Sequence, residues 1–132
     1  MSSLFSKIVK GEIPAYKVAE DECFLAFLDI NPLAKGHALV IPKRETDYIF
    51  DIEDQKYMEL WKFAKKVALG IKAVVPCEKV GVAVIGLEVA HAHIHLVPIN
   101  TIYDIDFKKP KLKFTPEEFH GIAEAIGKAI TL

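Results

Sequence analysis

"HAHIHLVP", residues 91–98, sets three of the chain's five histidines on alternate positions. Residues i, i+2 and i+4 of an extended strand share a face. His91, His93 and His95 are therefore expected in a row, with Ala92, Ile94 and Leu96 turned to an apolar core. The preceding "KVGVAVIG" (79–86) alternates likewise, Val80, Val82 and Val84 against Gly81, Ala83 and Ile85. This predicts a strand pair joined by the short connection "LEVA" (87–90).

Upstream the period changes. From Asp51 to Val75, Tyr57, Leu60, Trp61, Ala64, Val67, Ala68, Ile71 and Val74 recur at helical spacing until Pro76 ends the run, which predicts one long helix. Before it, "AYKVAE", "CFLAFLDI" and "HALVIP" read as three short strands, separated by the acidic turn "EDE" and by "NPLAKG". Ser3 can cap a brief first helix whose Leu4, Phe5, Ile8 and Val9 share a face, with Gly11 and Pro14 ending it. "TPEEFHGIAEAIGKAI" (115–130) opens with Thr115 as cap, Pro116 in the first turn and Glu118 completing a capping box. The order helix, three strands, helix, two strands, helix predicts an antiparallel α+β domain. Segment 100–114 has no period and is expected to wrap the surface or a partner.

A chain of 132 residues fits one domain, 1–132, with one core. Seventeen Lys and Arg against 18 acids exclude a long-range field that would draw nucleic acid or an anionic membrane. Any anion is bound locally. With 52% apolar residues, surface is left for a second copy, which predicts a homodimer. Cys23 and Cys77 lie far apart in apolar runs and are expected as buried free thiols. No window approaches a membrane span, and "MSSLFSKIVKGEIP" carries lysines where a secretory signal needs an apolar stretch, so a cytoplasmic location is expected.

Two chemistries suit a row of imidazoles. Three could hold zinc and leave a fourth position for water, although only Glu88 lies nearby in sequence to fix a ring. Alternatively, one neutral ring attacks phosphorus while a neighbour steadies the phosphate oxygens, which splits a hydrolysis into two displacements through a nucleotidyl-histidine. The middle ring, flanked on both sides, is then the nucleophile.

The triad "HAHIHLV", with "FLDINPLAKGHALVIPKR" (27–44) and "LFSKIVKGEIPAYKVAEDE" (4–22), resembles the histidine triad family of nucleotide hydrolases and transferases. The likeness runs from about Leu4 to Ile99, leaving 100–132 as a C-terminal extension and helix. It implies an antiparallel sheet of about five strands with the long helix packed on it, in a dimer. It implies His93 as nucleophile, His95 on the α-phosphate and leaving group, His91 orienting the nucleophile, and His37 as a fourth histidine. Asp29 would accept the ribose hydroxyls, and Phe5, Ile8, Phe27 and Ile30 would wall an apolar slot for a purine base. Gly86, Glu88 and Val89 would border the phosphates. The implied activity is hydrolysis at the α-phosphorus of a purine nucleoside phosphoramidate, with no cofactor and no catalytic metal. Dinucleoside polyphosphate hydrolysis and a nucleotide-binding regulator with little turnover are the alternatives.

The chain also departs from the pattern. Many members carry Gly-Gln-Ser or Gly-Gln-Thr before the triad, whereas this chain has "IGLEVAHAH", with Glu88 at the hydroxyl position. A carboxylate there is expected to select a cationic leaving group or turn away. Where many relatives place a zinc-binding Cys-x-x-Cys and a later histidine, this chain has "SLFSKI" and Glu45, and structural zinc is not expected. His95 stands where transferases of the wider superfamily carry glutamine, which argues for hydrolysis.

Overall fold

The computed structural model describes residues 2–132. Its elements follow the expected order: α1 (Leu4–Val9), β1 (Lys17–Glu20), β2 (Phe24–Leu28), β3 (Ala38–Pro42), α2 (Asp54–Val74), β4 (Lys79–Ala83), β5 (Ile94–Ile99) and α3 (Pro116–Ala129). The five strands form one antiparallel sheet in the order β1-β2-β3-β5-β4.

Strand alternation sorts the side chains into two apolar layers. Phe24, Ala26, Leu28, Val40, Ile94 and Leu96 face α2 and α3, where they meet Leu60, Phe63, Val67 and Ile71 of α2 and Phe119, Ile122 and Ile126 of α3. Leu25, Phe27, Leu39 and Ile41 face the other way and are covered by Phe5 and Ile8 of α1. Leu60, Ile71 and Ile94 are wholly buried, each stabilising the fold by ~1.5–3 kcal/mol through water exclusion. α3 starts with the expected capping box: Thr115 Oγ1 accepts from Glu118 N at 3.1 Å, and Glu118 Oε1 accepts from Thr115 N at 2.8 Å. Gly36 sits at φ 90° in the turn before β3, and a Cβ there would lie 2.9 Å from Val75 Cγ2. Glycine is therefore required on both counts.

Four expectations are corrected. The long helix is preceded by a separate 3-10 turn, Ile49–Asp51, because Glu53 accepts from Gln55 N at 2.9 Å and starts α2 there. The β4–β5 connection is not confined to "LEVA" but runs over 84–93. In its last turn the chain bonds elsewhere, His91 N to Val89 O at 2.8 Å and Ala92 N to Thr46 O at 2.6 Å, so β5 begins only at Ile94. Leu4, in the first turn of α1, is exposed instead of sharing the buried face of Phe5 and Ile8. Cys23 and Cys77 are unpaired as expected, yet half-buried. No helix among the described residues is long and apolar enough to cross a membrane.

Candidate active site

The site lies on the α1 face of the sheet. His95 is the one triad member inside the β5 ladder, paired with Leu39 on one side and Ala83 on the other. His91 and His93 precede it in the lead-in, yet the alternation persists: Ala92, Ile94 and Leu96 are buried under α2 and α3. Phe5 meets the rings of His91 and His93 edge-on at 5.9 and 5.0 Å, and that of Phe27 at 5.4 Å.

Hydrogen bonds assign the proton on each neutral ring. A carbonyl only accepts, so His93 Nδ1, 2.7 Å from His91 O, carries its proton and leaves Nε2 with a free lone pair. Leu33 N donates to His37 Nδ1 at 2.9 Å, so the proton of His37 sits on Nε2 and is donated to His95 Nδ1 at 3.0 Å. His95 must then carry its own proton on Nε2. Among the described residues the only buried side-chain nitrogen or oxygen without a partner is Trp61 Nε1, so the Nε2 atoms of His93 and His95 both reach solvent. With ring centroids 4.9 Å apart, the two rings set a nucleophilic lone pair beside an N–H donor.

The neutral forms are favoured by burial. Desolvation, with the neighbouring His95 and Lys111, pushes His37 down to about 3. Desolvation and the neighbouring His93 push His95 down to about 4. Burial also lowers His91, against the opposing bond of its ring to Pro42 O. Asp29 directly follows β2 and His37 directly precedes β3, and the bond from Asp29 N to His37 O at 3.0 Å closes their connection. The Asp29 carboxylate accepts from Asn31 N at 2.8 Å and lies 3.6 Å from His37 Nε2; burial raises its pKa.

A family model described as the HIT domain matches residues 10–102. The chain belongs to the HIT domain family. It is 38% identical to adenosine 5'-monophosphoramidase hnt1 of Schizosaccharomyces pombe, over 98% of this chain and 99% of that one. A HIT-like protein of Bartonella henselae has the same fold, with a TM-score of 0.85 at 27% identity, covering 98% of this chain and 96% of that one. A Zn-bound histidine triad family protein of Mycobacterium smegmatis matches with a TM-score of 0.81 at 27% identity, over 98% and 93% of the two chains.

In this HIT chain the triad does not form a three-imidazole metal site, because the ring nitrogens of His91 and Nδ1 of His93 are bonded within the protein. The one group of described residues able to converge on a metal is Asp29, His37 and His95. Its His37 Nε2 and His95 Nδ1 already bond each other. At the positions for which the family resemblance implies structural zinc in many members, the HIT chain offers the hydroxyls of Ser3 and Ser6 and the carboxylate of Glu45 beside His91. That is a poor set for an ion that favours thiolate and imidazole.

Of the base-slot residues, Phe5, Ile8 and Phe27 are buried together with Val89 packed on them, but Ile30 is 64% exposed and stands outside the cluster. Gly86, at φ 68°, borders a cavity with Tyr57, Trp61 and Leu87. Glu88 is exposed, and its charge acts on Asp29. Two residues of the apparently patternless segment join the site. Phe107 packs edge-on against His95 at 4.7 Å and His37 at 6.2 Å, and Lys111 adds a positive charge felt by Asp29 and His37. The segment returns to its own subunit through Leu112 N, which donates to Pro32 O at 2.9 Å. No local pattern announces either residue.

Proposed function

We propose that this protein is a nucleotide hydrolase that cleaves the α-phosphorus bond of purine nucleoside phosphoramidates. The observation that carries the reading is the pair of solvent-facing Nε2 atoms, a lone pair on His93 and an N–H on His95. His93 Nε2 attacks the α-phosphorus, a P–N bond forms, and the bond to the leaving nitrogen breaks while His95 Nε2–H stabilises the developing charge. Water then attacks the same phosphorus and frees His93. Overall, the hydroxyl of water goes to phosphorus and its proton to the amine. Asp29, an acceptor-only group, holds the ribose hydroxyls, and Phe5, Ile8, Phe27 and Val89 wall the base. The similarity to a monophosphoramidase over nearly the whole of both chains supports the leaving-group class.

The test is AMP release from adenosine 5′-phosphoramidate with a chelator present, against two bulkier derivatives, one with a neutral and one with a cationic amine. Release that survives chelation is expected. Glu88→Gln is expected to lower the preference for the cationic amine by about 3- to 10-fold, as loss of one partly screened charge should. AMP binding without release from any of the three would overturn the reading. Release from diadenosine polyphosphates alone would move it to that class.

A homodimer is part of the same proposal. β4 is a sheet edge, and Val82 within it and Ile85 and Leu87 just after it are 50, 50 and 89% exposed; Met58 and Leu69 of α2 are exposed as well. An apolar edge of this kind invites a second copy. Sedimentation at micromolar concentration is expected to give a dimer, and Val82→Lys a monomer; a monomeric parent would remove this part.

A further inference from the structure

The N-terminus of α1 is tied to the triad by a polar cluster with no role in the reading above. Glu45 Oε1 accepts from Ser3 N and from Ser6 Oγ, each at 2.6 Å. Ser3 Oγ accepts from Ser6 N at 3.0 Å and lies 2.9 Å from His91 Nδ1, while Ser6 Oγ lies farther from that nitrogen, at 3.4 Å. On its other side His91 Nε2 is 2.7 Å from Pro42 O. Glu45 is held well below the usual carboxylate range, at about 2, by the Ser6 and Ser3 donors, and so is ionised at neutral pH.

The directions of these bonds are forced. Pro42 offers only a carbonyl there, so Nε2 carries the His91 proton and Nδ1 must accept. The Ser6 hydroxyl spends its proton on the Glu45 carboxylate, a charge-assisted bond. The Ser3 hydroxyl is left as the donor to His91. His91 is thereby gripped at both ring nitrogens, and its own carbonyl takes the Nδ1 proton of His93, 2.7 Å away. An ionised carboxylate at residue 45 thus reaches the nucleophile through two serines, one ring and one peptide.

We propose that Ser3, Ser6 and Glu45 are positioning residues, which fix the tautomer and orientation of His91 and so aim His93 Nε2. The inference rests on His93 being the nucleophile. It gives the first residues of α1 a second task beyond covering Leu25 and Phe27. It also explains why this chain holds serines and a glutamate together at a buried imidazole, where hydroxyls without a committed acceptor would leave the ring free to flip.

The test combines kinetics with ring ¹⁵N signals of the full-length protein. In the parent, His91 is expected as the Nε2–H form with Nδ1 a hydrogen-bonded acceptor. In Ser3→Ala/Ser6→Ala the Nδ1 signal is expected to move toward that of an unbonded nitrogen. kcat should fall about tenfold or more with KM within about twofold, the pattern of a misaimed nucleophile. Ser3→Thr, which keeps the hydroxyl, is expected to restore both. If the double variant does not fold, Glu45→Gln carries the test, with a smaller change in the same direction. Unchanged His91 signals and kcat in either variant, or Ser3→Thr as defective as alanine, would overturn the proposal. The ring signals need no turnover, so a parent protein that hydrolyses no phosphoramidate would sink the proposed function while the clamp is judged on His91 alone.

Discussion

Replacing His93 with alanine is expected to lower AMP release from adenosine 5′-phosphoramidate by about 10⁴-fold or more while AMP binding survives. In the proposed reading, binding rests on the apolar layer of Phe5, Ile8 and Phe27 and on Asp29, none of which bonds the His93 ring through a polar atom. Turnover needs a lone pair at phosphorus, and the neighbouring rings cannot supply one. His95 presents N–H where His93 presents its lone pair, because His37 Nε2 occupies His95 Nδ1. His91 has both nitrogens engaged by Ser3 and Pro42. Water must then attack directly, with no base arranged for it. Single-turnover assays quenched in alkali, which preserves a P–N bond, are expected to trap a nucleotidyl adduct on the parent and none on the variant. A variant within about tenfold of the parent would place the nucleophile elsewhere.

The asymmetry between His93 and His95 shows where sequence reading ends. Strand period fixed which side chains share a face: Ile94 and Leu96 lie under the helices and His95 opposite them, as alternation requires. The long amphipathic helix and the capping box at Thr115 are readable because both are local: one is a period repeated over the turns of α2, the other a motif of four consecutive residues. Which nitrogen carries the proton was not readable, since it depends on Leu33 N and on the carbonyl of His91, and backbone groups leave no mark on composition. The clamp was hidden for another reason. Ser6 and Glu45 are 39 positions apart, and each is an ordinary surface residue until the fold joins them. Phe107 belongs to a segment without period, placed by one backbone bond to Pro32 and by its packing on His95. Ile30, just after the end of β2, is exposed, and its apolar side chain has no packing partner in the cluster of Phe5, Ile8 and Phe27.

The same buried rings predict how the protein loses stability in acid. The pKa values of His37 and His95 lie at about 3 and about 4 in the folded state, below the ordinary 6.5. A group depressed on folding contributes stability that is fully present above its unfolded value and is lost as pH falls toward the folded one. The window is therefore about pH 6.5 down to 4 for His95 and down to 3 for His37. Each pH unit below the ordinary imidazole value costs ~1.4 kcal/mol for a ring that stays uncharged. At pH 5 the loss is expected to be about 2 kcal/mol per ring, or about 4 kcal/mol together, against a typical total of ~5–15 kcal/mol. The loss has a specific origin, because a proton added to His95 Nδ1 would face the Nε2–H of His37 3.0 Å away and break that bond. Asp29 opposes the trend, since burial raises its pKa and protonating it in acid favours the fold. Glu45 titrates below this window, at about 2. Denaturant unfolding at pH 7.5 and 5.0 measures the difference. His37→Gln, whose amide oxygen and N–H₂ can answer Leu33 and His95 without titrating, is expected to be less stable than the parent at pH 7.5. It should also lose about 2 kcal/mol less between the two pH values. A parent equally stable at both would mean that these imidazoles are not held neutral, and the assignment of a proton to His95 Nε2 would fall with it.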